Sequence, residues 1–171
     1  MTTERDKLTV LDTVTLPLLA AVMLVGKFAL NALPNIEVVS LLTAVYTVCI
    51  GKKAIIPVYL FVIIEGVVYG FGTWWLSYLY VWPLLYLAVL AIRKIEGTVI
   101  CTLVCAMFGL LFGALCSVPQ FIIGGISYGT AYFISGIPFD LLHCAGNAVL
   151  TAVLYKPLKL LLVRCLTMKR A

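Results

Sequence analysis

The sequence predicts an all-α polytopic membrane protein, a single six-transmembrane-helix bundle with both termini cytoplasmic and an outer lid segment. Three observations predict it. Of 171 residues, 64% are hydrophobic and 11% charged, and the mean hydropathy of +1.16 lies far outside the soluble globular range. The run from Val99 to Val118 has no charged residue in 20 positions, which at about 1.5 Å per residue crosses a hydrocarbon core of roughly 30 Å. Apart from Lys27, every basic residue falls in the N-terminal tail (Arg5, Lys7), at Lys52-Lys53, at Arg93-Lys94, or between Lys156 and Arg170, and the positive-inside rule places all four groups on the cytoplasmic side. Long apolar runs without alternation argue against an outer-membrane barrel.

The spans that satisfy this arrangement are 11–33, 37–51, 54–72, 77–93, 98–118 and 138–162 within one membrane domain of residues 1–171. Met1 to Lys7 is polar, and no small-residue cleavage site follows the first apolar run, so that run is expected to be a retained span. The second span is short for a crossing, and Lys52 and Lys53 can extend it by snorkelling. Gly66/Gly70 and Gly109/Gly113 are GxxxG pairs that allow close helix packing. The connection 119–136 carries no charge and is too apolar to float in water. It is expected to fold back as a short or interfacial helix, a lid covering the outer end of the bundle. In the sixth span Pro138 suits the first turn of a helix, and Asp140, His143 and Asn147 at i, i+3 and i+7 form one stripe. The six cysteines lie in or beside apolar runs and read as buried free thiols.

Ionisable groups inside a span cost several kcal/mol, about 2.5–3.5 on insertion scales, unless paired or hydrated. Lys27, Glu65, Asp140 and His143 are the residues that need a reason, and all fall in the outer half of the predicted topology. Asn31, Asn35, Glu37, Tyr69, Trp75, Tyr78, Trp82 and Gln120 are expected at the same depth. Lys27 and Glu65 could form a structural ion pair, and Trp74, Trp75 and Trp82 an interfacial belt. The joint occurrence of carboxylates, an imidazole, amides and aromatic rings suits a small, flat, polar heterocycle. The substrate-binding candidates are Lys27, Asn31, Asn35, Glu65, Tyr69, Trp75, Tyr78, Asp140, His143 and Asn147.

No catalytic residue is assigned. Ser135, His143 and Asp140 could be assembled into a triad, but no nucleophile elbow accompanies them. No metal site is expected from a single histidine without a second His/Cys cluster, and no cofactor is implied. No nucleotide-binding glycine loop of the Walker type is present, and the basic residues need no nucleic-acid explanation.

Leu33-Pro-Asn-Ile-Glu37, Gly51-Lys-Lys53, Glu65-Gly-Val-Val-Tyr-Gly-Phe-Gly-Thr-Trp-Trp75 and Gly136-Ile-Pro-Phe-Asp-Leu-Leu-His143, together with the chain's size, resemble the substrate-binding S component of energy-coupling factor (ECF) transporters. The resemblance is nearest to the riboflavin-type or unassigned vitamin group. It implies a non-enzymatic subunit in the plasma (inner) membrane of a prokaryote that captures a vitamin-like solute at the outer face. Its implied partners are the lipid bilayer, a transmembrane scaffold subunit and two cytosolic ATPases. Thiamine-binding relatives use the residue types that Glu65, His143, Asn147, Tyr69 and Trp75 supply, but pyridoxine-type vitamers, flavins or a deazapurine fit as well. Family members dock on the scaffold through small residues of the first helix, typically Ala-x-x-x-Ala. This chain departs from that pattern, and Thr13, Pro17, Ala20 and Ala21 are the nearest candidates. A small intramembrane enzyme and a membrane assembly protein are the alternatives from other classes.

Overall fold

Helix α1 spans Val10–Ala29 and opens on a capping box, in which the Thr9 hydroxyl accepts from the Asp12 amide while the Asp12 carboxylate accepts from the Thr9 amide at 2.8 Å. The computed structural model describes residues 8–95 and 97–168, except for the Met168 side chain, and contains no strand among them. Arg5, Lys7, Lys169 and Arg170, which contribute to the expected orientation, lie outside the described residues, as does the expected polar N-terminal tail. Helix α1 stops four residues short of the expected position 33. Pro34 disfavours helical geometry at Leu33, and Asn35 takes a positive φ of 55°, so residues 30–38 form a compact loop.

Helix α2 is Val39–Ile50, starting two residues later than expected, with Glu37 accepting the Ser40 amide at 2.9 Å. Gly51 at φ 62° ends it, a 3₁₀ turn covers Gly51–Ala54, and α3 follows as Ile55–Tyr69. A side chain at Gly51 would be strained at that φ and would meet the Arg93 guanidinium. Helix α4 is Thr73–Ile92. It begins four residues earlier than expected because residues 70–72 suffice for the turn, so Trp74 and Trp75 are helical.

The expected six separate spans are corrected by two junctions. Four helical stretches are long and apolar enough to cross a bilayer: Val10–Ala29, Val39–Tyr69, Thr73–Ile92 and Thr98–Thr167. The second contains α2 and α3 joined through the 3₁₀ turn. The fourth is α5, Thr98–Met168, which absorbs the fifth span, the lid and the sixth span. The helical path continues through Pro119, Pro138 and Pro157, each of which leaves one i→i−4 bond unmade because proline lacks an N–H. Its break falls at Gly125, where φ is 74° and ψ is −176°.

At Gly125 the chain doubles back, so α5 is an antiparallel pair of arms, residues 98–124 and 126–168. A Cβ on Gly109 would lie 2.8 Å from the His143 carbonyl carbon, and one on Gly113 would strike the Asp140 carboxyl, whereas one on Gly129 would strike the Phe121 ring. The Gly109/Gly113 pair is therefore the crossing point of the arms, as its small-residue spacing suggests. Gly66 instead faces the rings of Phe71 and Trp75, and Gly70 ends α3. The region expected to be a lid forms the outermost part of both arms and carries exposed Ile122 and Ile126. It contributes no wall to the polar cavity described below. Pro138 and Asp140 sit within the second arm rather than at a helix start.

Cross-helix bonds fix the direction of the other segments. Tyr46 Oη donates to the Leu19 carbonyl at 3.2 Å, α2 to α1, while Asp12 pairs with Lys53 in the 3₁₀ turn before α3 and Lys27 with Glu65 in α3, which sets α1 and α3 in parallel. Trp75 Nε1 donates to the Val62 carbonyl at 2.9 Å, and Tyr80 Oη donates to the Leu115 carbonyl at 2.6 Å. These bonds set α4 antiparallel to both α3 and the first arm of α5. Lys52, Lys53, Arg93, Lys94 and Lys159 consequently gather at one end of the bundle, and loop 30–38 lies at the other. Between the ends, Phe61, Val81, Trp82, Leu85, Cys105 and Phe108 fill the core.

Candidate ligand-binding site

A cavity of about 280 Å³ opens at the end opposite the basic residues. Its walls are Lys27 in the last turn of α1, residues Leu30, Asn31 and Leu33–Glu37 of the loop that follows, Val39, and Tyr78 and Trp82 one turn apart on α4. Phe112 and His143, from the two arms of α5, close it. The loop is held against α5 by Asn35 Nδ2, which donates to the Phe139 carbonyl at 3.0 Å. Trp82 joins Tyr78 (centroids 5.5 Å apart), Phe108 (5.5 Å) and Phe112 (5.8 Å), giving the cavity an aromatic floor.

Two buried ionic groups adjoin this floor. Lys27 Nζ pairs with Glu65, whose side chain is 0% exposed, while the lysine is 24% exposed and lines the cavity. The ammonium also lies 5.3, 5.4 and 5.8 Å from the ring centroids of Tyr78, Tyr69 and Phe61, within cation–π range. The second group begins at Glu37. Its carboxylate accepts from the Ser40 amide and hydroxyl and stands 3.1 Å from His143 Nε2, which must donate because a carboxylate can only accept. Burial pushes the Glu37 carboxyl upward, but the His143 hydrogen bond and charge, with the Ser40 donors, outweigh it and hold its pKa below the ordinary value.

The network continues inward. Asn147 Nδ2 donates to Ser40 Oγ at 3.2 Å and to the Cys105 carbonyl at 3.1 Å, tying α2 to both arms of α5. Asp140 Oδ1 accepts the Gly113 amide at 2.8 Å. Several buried polar atoms find no protein partner, among them Trp82 Nε1, His143 Nδ1 and Glu65 Oε1. Two of these, Trp82 and His143, belong to residues that line the cavity, so a bound molecule is their nearest source of a partner.

Of the residues expected to bind solute, Lys27, Asn31, Asn35, Tyr78 and His143 line the cavity. The remaining five do not. Glu65 is engaged by Lys27 and does not reach the wall. Tyr69 packs edge-on against Phe28, and Trp75 is spent on the Val62 carbonyl and the Phe71 ring. Asp140 and Asn147 bind backbone and Ser40 between helices. The stripe 140/143/147 is thus mainly a helix-packing device from which His143 alone reaches the cavity. The expected site omitted Trp82, Phe112 and Glu37. A helical i, i+4 relation to Tyr78 marks Trp82, and Glu37 stands three residues before Ser40 at the start of α2.

Ser135 Oγ donates to the Tyr132 carbonyl, away from His143's network. All six cysteines are free, and no group of three or more His, Cys, Asp or Glu that could hold a metal occurs among the described residues. A second hollow of about 400 Å³, between α4 and the first arm of α5, is lined by apolar side chains such as Leu84, Leu103 and Met107. Of the small first-helix residues, Thr13, Pro17 and Ala21 are exposed, whereas Ala20 is buried. Comparison of the chain with protein-family models, curated proteins and solved structures finds no match.

Proposed function

We propose that this membrane protein is the solute-capturing subunit of an ECF-type importer, taking up a vitamin or related small aromatic heterocycle. The carrying observation is the cavity between loop 30–38 and α4/α5, where aromatic walls surround a small set of oriented polar groups. Ligand pockets in general combine apolar walls with a few such groups. The alternation of segment directions supports six passes of the membrane, with α2, α3 and the two arms of α5 each counted once. The clustering of Lys52, Lys53, Arg93, Lys94 and Lys159 then orients that end to the cytoplasm and the cavity to the outside. In this reading the protein resides in a prokaryotic plasma membrane, and the exposed stripe Thr13, Pro17, Ala21 meets the scaffold subunit that carries the two ATPases.

Equilibrium dialysis of detergent-purified protein against rich growth medium, followed by mass spectrometry of the retained small molecules, tests the reading. One aromatic heterocycle enriched at one molecule per chain is expected. No enrichment over an unrelated membrane protein would contradict it.

A further inference from the structure

Resting on that solute-capture reading, we infer that the solute is a neutral or monoanionic planar ring that presents a carboxylate or carbonyl oxygen to Lys27 and Trp82, and that cationic rings are excluded. The inventory of acidic and aromatic residues suggests the opposite, a carboxylate reaching for a positively charged ring. The geometry redistributes the charges. Glu65 is wholly buried against Lys27, and Asp140 is turned onto the Gly113 amide, so neither lines the cavity. Glu37 does line it, but its oxygens are taken up by the Ser40 amide, the Ser40 hydroxyl and His143. A carboxylate offers about four lone-pair directions, and these donors occupy most of them.

Beside the aromatic floor, two cavity-lining residues have donor capacity to spare. The Lys27 ammonium has three N–H groups and spends one on Glu65, its other neighbours being ring faces. Trp82 is 2% exposed and its Nε1, a donor only, has no partner. A buried donor without an acceptor is costly, so an acceptor oxygen on the bound ring relieves it. The Lys27 ammonium stands on the wall with its Glu65 partner buried behind it, so a ring in the cavity meets the ammonium first, which disfavours a cationic ring and offers N–H donors to an anionic or carbonyl oxygen. Size restricts the choice further. The cavity of about 280 Å³ lies at the small end of ligand pockets, which run from about 300 to 1,000 Å³. That suits one ring or a fused pair and leaves little room for a long polar tail.

Three probes of nearly equal size separate the possibilities: pyridine-3-carboxylate, pyridine-3-carboxamide and the 1-methylpyridinium-3-carboxamide cation. Binding to the purified full chain is measured by equilibrium dialysis, with thermal shift in parallel. The carboxylate is expected to bind at least about tenfold more tightly than the cation, with the amide between them. Trp82→Phe keeps the ring and removes the donor, and is expected to weaken carboxylate binding about tenfold. Lys27→Arg keeps the charge should Lys27→Met fail to fold, and is expected to preserve the order of the three probes. A cation that binds as tightly as the carboxylate overturns the inference. Should no probe bind, the solute retained by the protein as isolated decides by its charge. A cationic solute overturns the inference and leaves solute capture standing, a neutral or anionic one carrying an acceptor oxygen supports it, and no solute at all overturns both.

Discussion

Replacing Lys27 with methionine isolates the energetic role of the buried ion pair, because methionine keeps much of the side-chain volume and removes the charge. Glu65 would remain, fully buried, with Oε1 already lacking a partner among the described residues and Oε2 losing Lys27. Breaking a buried pair costs about 3–5 kcal/mol, mostly as the penalty of the charge left behind. Because the Lys27 side chain is 24% exposed, the lower end, about 3 kcal/mol, is expected. For a chain of this size that corresponds to a fall in thermal midpoint of about 6–12 °C. Removing both charges in Lys27→Met/Glu65→Met eliminates the stranded carboxylate, and the double variant should return to within about 1 kcal/mol of the parent. Equilibrium unfolding in mixed micelles, followed by tryptophan fluorescence, measures all three proteins. A single variant that loses less than about 1 kcal/mol, or a double variant no more stable than the single, would refute the reasoning.

Other perturbations test separate parts of the structure. Gly109→Ala places a methyl 2.8 Å from the His143 carbonyl carbon and should cost about 1–3 kcal/mol by forcing the α5 arms apart. Gly136→Ala meets nothing within 4 Å and should stay within about 0.5 kcal/mol of the parent in the same unfolding assay. The folded-state pKa of Glu37 lies below its unfolded value, so its stabilising contribution is present above the unfolded value and disappears as pH falls through the folded one. Its share of the thermal midpoint should therefore decline as pH falls below about 4.3, and the difference between parent and Glu37→Gln should shrink over that acid range. Ala21→Trp, on the exposed stripe of α1, should prevent co-isolation with ATPase subunits from native membranes while leaving solute retention unchanged; loss of retention would move α1's exposed face into the binding role instead.

The all-helical character, with stretches long and apolar enough to cross a bilayer, is legible because it depends on composition and run length, which the unbroken apolar stretches display directly. Segment ends were less legible where a local backbone choice decided them. Pro34 and Asn35 shortened α1, while Gly70 and Gly72 made so short a turn that Trp74 and Trp75 joined α4. An apolar, glycine-bearing connection satisfies both a folded-back cover and two continued helices, and the positive φ at Gly125 selects the helical hairpin. Lys27, Asn31, Asn35, Tyr78 and His143 could be nominated because polar groups at membrane depth require a reason. Their division into cavity wall and buried support was not legible, since it depends on which partner each meets across helices. Glu65 was nominated by its charge, yet that charge is consumed by Lys27. Trp82 resembled an interfacial belt residue, and its place in the cavity follows from the packing of Phe108 and Phe112 around it.

Solute occupancy of the cavity between loop 30–38 and α4/α5 is tested most directly by native mass spectrometry of the protein released from its own membrane. The parent should be compared with Trp82→Phe and with a variant in which Asn31→Trp fills the cavity mouth. The parent should carry one small aromatic molecule per chain, Trp82→Phe should carry less, and the filled variant should fly empty at the same charge-state distribution. A solute retained at parental occupancy by the filled variant, or a parent with no bound molecule, would contradict the assignment of this cavity as the capture site.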